Sequence, residues 1–213
     1  MKLEKKNVWS VLIVVMFGLA VSLASLRTGN VNGFGDTAAS VELSLDSAAG
    51  SVKHTDESGN VTVDFEMLKE WNPDIYAWIT VPGTNIDYPV LQKSDTEDLY
   101  DNYYLDHTVD LEEGLPGAIY SQPVNQKDFM DSVTVLYGHN MKNGEMFTGL
   151  HEFENRDFFD KNRQIFIYTP NGVLTYEIFA AVDFSDALIP YEYSFSDSAQ
   201  LQNYIKDVKM TSN

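Results

Sequence analysis

The chain has 213 residues, enough for one ordinary domain and a targeting segment, and its 44% hydrophobic and 13% aromatic content calls for a packed core rather than disorder. A formal net charge of −18 argues against nucleic-acid partners, because so acidic a surface repels phosphates. The chain has no cysteine, which excludes a disulfide framework and any thiolate metal site.

The N-terminus carries Lys2, Lys5 and Lys6, followed by an uncharged apolar run of 19 residues from Val8 to Leu26. As a helix that run reaches roughly 28 Å, close to a bilayer core of about 30 Å. The expectation is residues 1–7 in the cytoplasm, a transmembrane signal-anchor over 8–26 and export of the remainder, since the basic residues precede the run. A cleaved signal peptide is the competing reading, with Ser22-Leu23-Ala24 as a passable small-x-small site. From 27 to 60 the composition turns to Gly, Ser, Asp, Thr and Ala, which predicts a flexible extracellular stalk.

A folded domain is expected over 61–213. Asp64 is placed to cap a short helix with Phe65, Leu68 and Trp71 on one face, which Asn72-Pro73 ends. Short β-like runs follow at Ala77–Val81, Ile86–Leu91, Gly117–Ser121, Ser132–Tyr137, Gln164–Thr169 and Val173–Phe184. The last two are expected to form a hairpin about Pro170-Asn171-Gly172. Helical stretches are predicted at Glu145–Lys161 and Asp197–Lys209. The second places Leu201, Tyr204, Ile205 and Val208 on one amphipathic face. Many short strands between turns point to a sandwich or barrel, mainly β with added helices.

Four histidines are present. His54 lies in the stalk, His107 in a polar loop and His151 in a helical stretch, all positions where a solvated histidine is ordinary. His139 ends the apolar run Val133–Tyr137 behind a glycine, a position suited to proton transfer near neutral pH, although the residues alone leave a structural role open. No metal-ligand spacing, phosphate-binding glycine loop or serine elbow occurs, so no cofactor is expected.

Several segments resemble class B sortases in order along the chain. They are Asn72-Pro73-Asp74-Ile75-Tyr76-Ala77-Trp78-Ile79, then Val81-Pro82-Gly83-Thr84-Asn85-Ile86-Asp87-Tyr88-Pro89-Val90, then Asn102-Tyr103-Tyr104-Leu105. The fullest is Leu136-Tyr137-Gly138-His139-Asn140-Met141-Lys142-Asn143-Gly144-Glu145-Met146-Phe147, similar to the family's catalytic-histidine segment. The resemblance implies a sortase-type β-barrel of eight strands and a cysteine transpeptidase. Such an enzyme cleaves the C-terminal sorting signal of secreted surface proteins through a thioacyl intermediate. An amine of the peptidoglycan precursor then resolves that intermediate.

Carried over residue by residue, the resemblance makes His139 the catalytic histidine, Tyr137 a substrate-groove residue and Leu105 a groove-lining residue. The family's cysteine and arginine lie on strands after the helix that Asp197–Lys209 matches. The chain is therefore expected to lack its last strands and to be inactive as it stands, held in the membrane by its N-terminal helix with the domain on the cell-wall side. The alternative is a non-catalytic extracellular binding module that keeps the groove.

Overall fold

The computed structural model describes residues 11–15, 52–181 and 198–211. Nine strands form there: β1 (Val11–Val15), β2 (Lys53–Thr55), β3 (Val61–Val63), β4 (Ile75–Thr80), β5 (Asp87–Leu91), β6 (Ile119–Tyr120), β7 (Val133–Tyr137), β8 (Gln164–Thr169) and β9 (Gly172–Glu177). Seven make one sheet in the order β1-β7-β6-β5-β4-β8-β9, and β2 and β3 make a separate hairpin. Only β5 and β6 run parallel; the other pairs are antiparallel. Among the described residues the sheet ends at β1 and β9 and does not close on itself.

Helix α1 (Phe65–Trp71) starts where Asp64 accepts hydrogen bonds from the amides of Glu66 and Met67, as its position predicts. It ends at Asn72, whose amide still bonds Leu68 before the chain turns extended. Its buried face, Phe65 and Leu68, packs with Ile75, Trp78 and Tyr168 of the sheet. The opposite face of the same strands carries Ala77, Ile79, Val90, Leu136 and Ile167 into a second cluster with Phe147 and Phe153. Strand β4 is thus buried on both faces, which is why Ile75-Tyr76-Ala77-Trp78-Ile79 reads as an unbroken apolar run rather than an alternating one. Each large side chain taken fully from water there contributes roughly 1.5–3 kcal/mol.

The hairpin β2–β3 falls partly inside the stretch whose composition suggests a stalk. Asp56 closes its turn by accepting from the amides of Ser58 and Asn60, and Val52 is buried beside it. Lys53 then fixes the hairpin to the sheet. Its Nζ donates to Asp87 Oδ1 at 2.6 Å and to Thr80 Oγ1 at 3.1 Å, flanked by the rings of Trp78 and Tyr168. A lysine stem covering apolar rings while its head meets a carboxylate accounts for order in so polar a stretch.

Residues Val11–Val15 lie antiparallel to β7, with Val11 opposite Tyr137 and Val15 opposite Val133. This differs from the helix expected over Val8–Leu26; the rest of that run lies outside the described residues. Val-Leu-Ile-Val-Val is rich in β-branched residues, and the outer edge of β7 offers it backbone partners that an isolated strand lacks. No helix among the described residues is long and apolar enough to cross a membrane.

The stretch expected as one helix over Glu145–Lys161 is broken in two. A 3-10 segment spans Phe147–Glu154, and a separate helix α2 (Arg156–Lys161) begins at Asn155, whose side chain caps the amides of Asp157 and Phe158. Helix α3 (Ser198–Thr211) buries Tyr204 and Ile205, as its amphipathic spacing predicts. The side chains of Leu201 and Val208 lie outside the described residues. The hairpin β8–β9 turns on Pro170-Asn171, with Thr169 paired to Gly172.

Candidate active site

His139 follows directly from β7. Gly138, between the strand and the histidine, is buried against Ile119 and the ring of Phe147, which a Cβ there would meet at 2.9 Å. The glycine therefore lets β7 run close over Phe147 before the chain leaves the sheet. The loop that follows returns on itself. Asn140 bridges Met146, and the Phe147 amide donates to the His139 carbonyl at 3.0 Å. Thr148 Oγ1 accepts from the Met141 amide and donates back to its carbonyl. The Tyr88 hydroxyl accepts from the Met146 amide at 3.1 Å. Met146 itself holds φ 56°, a conformation that favours glycine, and these contacts hold it there.

The imidazole of His139 is half-buried, and its Nε2 donates to the Leu105 carbonyl at 2.6 Å. A carbonyl only accepts, so Nε2 carries a proton whether the ring is neutral or charged, and Nδ1 is the nitrogen left to exchange one. Leu105 closes a single 3-10 turn, Tyr103–Leu105, whose last amide bonds the Asn102 carbonyl. That turn is anchored from below by Tyr104. Its hydroxyl donates to Asp74 Oδ2 at 2.7 Å and accepts from Asn72 Nδ2 at 3.2 Å, all three residues being buried. Burial, then the bond to Asp74, raises the Tyr104 phenol well above its ordinary value. Gly117 lies directly against the Tyr104 and Leu105 carbonyls, at φ 64°.

Tyr137, the last residue of β7, lies two residues before His139. Its ring stacks on Tyr120 at 5.2 Å, and its hydroxyl donates to Gln122 Oε1 at 3.1 Å. Burial raises its phenol too. Of the three residues singled out in the sequence, Leu105 meets His139 directly, and Tyr137 and Leu105 pack against the same apolar cluster.

The remaining histidines are arranged differently. His54 is exposed on β2. His107 stacks on Tyr103 at 3.8 Å, with Nδ1 against the Tyr103 carbonyl and Asp106. His151 is exposed and bridges Asn140 and Glu154. Sequence reasoning missed Gly117 and Gln122, which support the site from behind. Neither belongs to a periodic pattern, and only the fold brings them there.

A curled, mainly β half-sheet with a histidine leaving the strand behind a buried glycine is the frame of a sortase. The sortase domain family model matches residues 79–200, more than half of the chain, and the chain belongs to that family. Its relatives are class B sortases. Sortase B of Listeria monocytogenes is 33% identical over 160 residues, which are 74% of this chain and 62% of the relative. The structure of Clostridium perfringens sortase B is 31% identical with a TM-score of 0.60, covering 70% of this chain and 79% of that one. The Staphylococcus aureus sortase B–substrate complex is 26% identical with a TM-score of 0.61, covering 70% and 66%. The chain spans about three fifths of the length of the curated relatives it matches.

Proposed function

We propose that the chain is the histidine-bearing part of a class B sortase, a cysteine transpeptidase that joins secreted proteins to the cell wall. The observation that carries this is the His139 ring, fixed through Nε2 on the Leu105 carbonyl and left with Nδ1 for proton transfer. In the reaction a thiolate attacks the carbonyl of the sorting signal, the peptide bond breaks, and the departing amine takes a proton from His139. An amine of the peptidoglycan precursor then attacks the thioester and gives its proton to the same ring, and the thiolate leaves. The chain contains no cysteine, so the thiol of this reaction is not among its residues. Alone, the chain is expected to be inactive. No cofactor enters this chemistry.

The uncharged run Val8–Leu26 behind Lys2, Lys5 and Lys6 supports a single-pass anchor with the domain on the cell-wall side. Insertion requires Val11–Val15 to exchange its pairing with β7 for helix in lipid.

The test is to read the coding sequence beyond Asn213 and express the chain with and without whatever follows in frame. Cleavage and amine transfer of a sorting-signal peptide by the longer form alone is the expected result. A stop codon at that point, with stable folded protein, favours the binding module instead.

A further inference from the structure

Behind Tyr137 lies a short polar ladder whose hydrogen-bond directions are fully determined. Gln122 is completely buried, two residues after the end of β6. Its carboxamide meets the Tyr100 main-chain carbonyl at 3.1 Å, the Asn102 Oδ1 at 2.8 Å and the Tyr137 hydroxyl at 3.1 Å. An amide side chain is ordinarily ambiguous, since its oxygen and nitrogen look alike. Here the Tyr100 carbonyl removes the ambiguity: it is an acceptor and cannot turn over, so the Gln122 nitrogen must face it.

The second hydrogen of that nitrogen goes to Asn102, whose oxygen must then face Gln122. The same oxygen accepts from the Tyr120 hydroxyl at 3.0 Å. Turning Asn102 over would set one NH₂ against another. Gln122 Oε1 is left facing Tyr137, and a carboxamide oxygen only accepts. The one proton of the Tyr137 hydroxyl is therefore committed to Gln122.

We infer that Tyr137 meets a bound peptide as a hydrogen-bond acceptor, selecting an N–H donor on that peptide, and that Gln122 is the positioning residue that sets this polarity. The inference rests on the proposed function in one respect, namely that the groove beside Tyr137 holds a sorting-signal peptide. A phenol whose proton is already given to a buried oxygen has only lone pairs to offer. A peptide carbonyl in the same place would face those lone pairs and be rejected, because neither partner then has a hydrogen to share.

Two measurements test this. The first uses the free chain. The Raman tyrosine doublet distinguishes a donating from an accepting hydroxyl, and the difference spectrum between wild type and Tyr137→Phe isolates Tyr137. A donor signature is expected, lost in Gln122→Met. An acceptor signature in wild type overturns the proposal.

The second uses the peptide of the Staphylococcus aureus substrate complex and a series in which each backbone N–H is replaced in turn by an ester oxygen. Side-chain carboxamides, the other source of an N–H, are replaced by their carboxylate or alkyl counterparts. One replacement should weaken binding to the wild-type chain roughly 3–10-fold, the range for a single hydrogen bond, and should change binding to Tyr137→Phe less than about twofold. If no replacement depends on Tyr137 while Tyr137→Phe itself weakens binding, the acceptor role is wrong. If the wild-type chain binds none of these peptides, the groove reading falls and the proposal with it. The spectrum then shows separately whether the Gln122–Tyr137 polarity was correct. Should Gln122→Met unfold, the wild-type difference spectrum decides alone: a donor signature supports the polarity and an acceptor signature overturns it.

Discussion

The Nε2 atom of His139 and the main-chain oxygen of Leu105 are 2.6 Å apart, although 34 residues separate them in sequence. The contact joins β7 to the turn Tyr103–Leu105 and leaves the imidazole one nitrogen with which to work. In a protein extended to carry its thiol, His139→Ala should lower transpeptidation by about 10²–10⁴-fold, the usual worth of positioned acid–base help. His107→Ala and His151→Ala should change it little, since their rings meet Tyr103 and Glu154 instead. Peptide transfer rates, with circular dichroism to verify the fold, decide the matter; near-full activity in His139→Ala would refute the assignment.

Gly117 offers a way to disturb that contact from behind. An added Cβ would lie 2.5 Å from the Leu105 oxygen and 2.8 Å from the Tyr104 oxygen, on a backbone already at φ 64°. Both obstacles are main chain, which cannot swing aside. Gly117→Ala should cost about 1–3 kcal/mol in denaturant titration and shift the His139 ring signals in NMR spectra. Gly59→Ala is the control: φ is 84° there but the space is open, so only backbone strain of roughly 1–2 kcal/mol and no change at His139 are expected.

Alkali should unfold the domain cooperatively. Burial raises the phenols of Tyr76, Tyr104, Tyr120, Tyr137 and Tyr176 above their ordinary values. Below about pH 10 these groups are protonated in both folded and unfolded chains, and their contribution to stability is complete. Above it the unfolded chain ionises first, so the folded state loses up to about 1.4 kcal/mol per pH unit for each such tyrosine. Lys127 works the other way: burial lowers its pKa, so stability gains as pH rises to its unfolded value, but it is one group against these five phenols and that of Tyr168, which burial also raises. Tyrosinate absorbance should rise in one step together with loss of the fold. A gradual rise near the ordinary phenol value, with circular dichroism unchanged, would contradict this.

If the proposed anchor over Val8–Leu26 inserts, strand β1 and a bilayer compete for the same residues. Hydrogen exchange of the β7 amides should be slow in water, where Val11–Val15 covers that edge, and at least about tenfold faster once the chain is inserted in lipid. Protease added to intact cells should remove the domain and spare the N-terminus. Unchanged protection of β7 in membrane-inserted protein, or a protease-resistant domain, would count against the anchor.

Local chemistry was readable where it acts locally. Asp64 caps α1, Pro170-Asn171 turns the last hairpin, and Tyr204 and Ile205 are buried on α3, each dictated by neighbours within a few residues. The break at Asn155 was not. Met146, Leu150 and Phe153 keep helical spacing, but Gly149 lies hard against Thr84 and Asn85 of a distant loop, and Asn155 caps a new helix instead of continuing the old one. The order of the β2–β3 hairpin was hidden too, because it depends on Lys53 reaching Asp87 across the sheet. At the site, His139 and Tyr137 stand out in a recognisable segment. The part played by Leu105 does not, because any residue there would supply the same carbonyl.

Strand β4 lies near the middle of the sheet, yet it is the first of the chain's long central strands to be made. Its neighbour β5 follows within a few residues, whereas Tyr168, the partner of Trp78 on β8, is synthesised about ninety residues later. At ribosomal speeds that interval is roughly 5–20 seconds. Throughout it, an apolar strand that ends up buried on both faces waits with one edge unpaired. Assembly of this sheet is therefore slow by topology, and the nascent chain is most vulnerable to self-association, and most in need of a chaperone, between the emergence of Thr80 and that of Thr169.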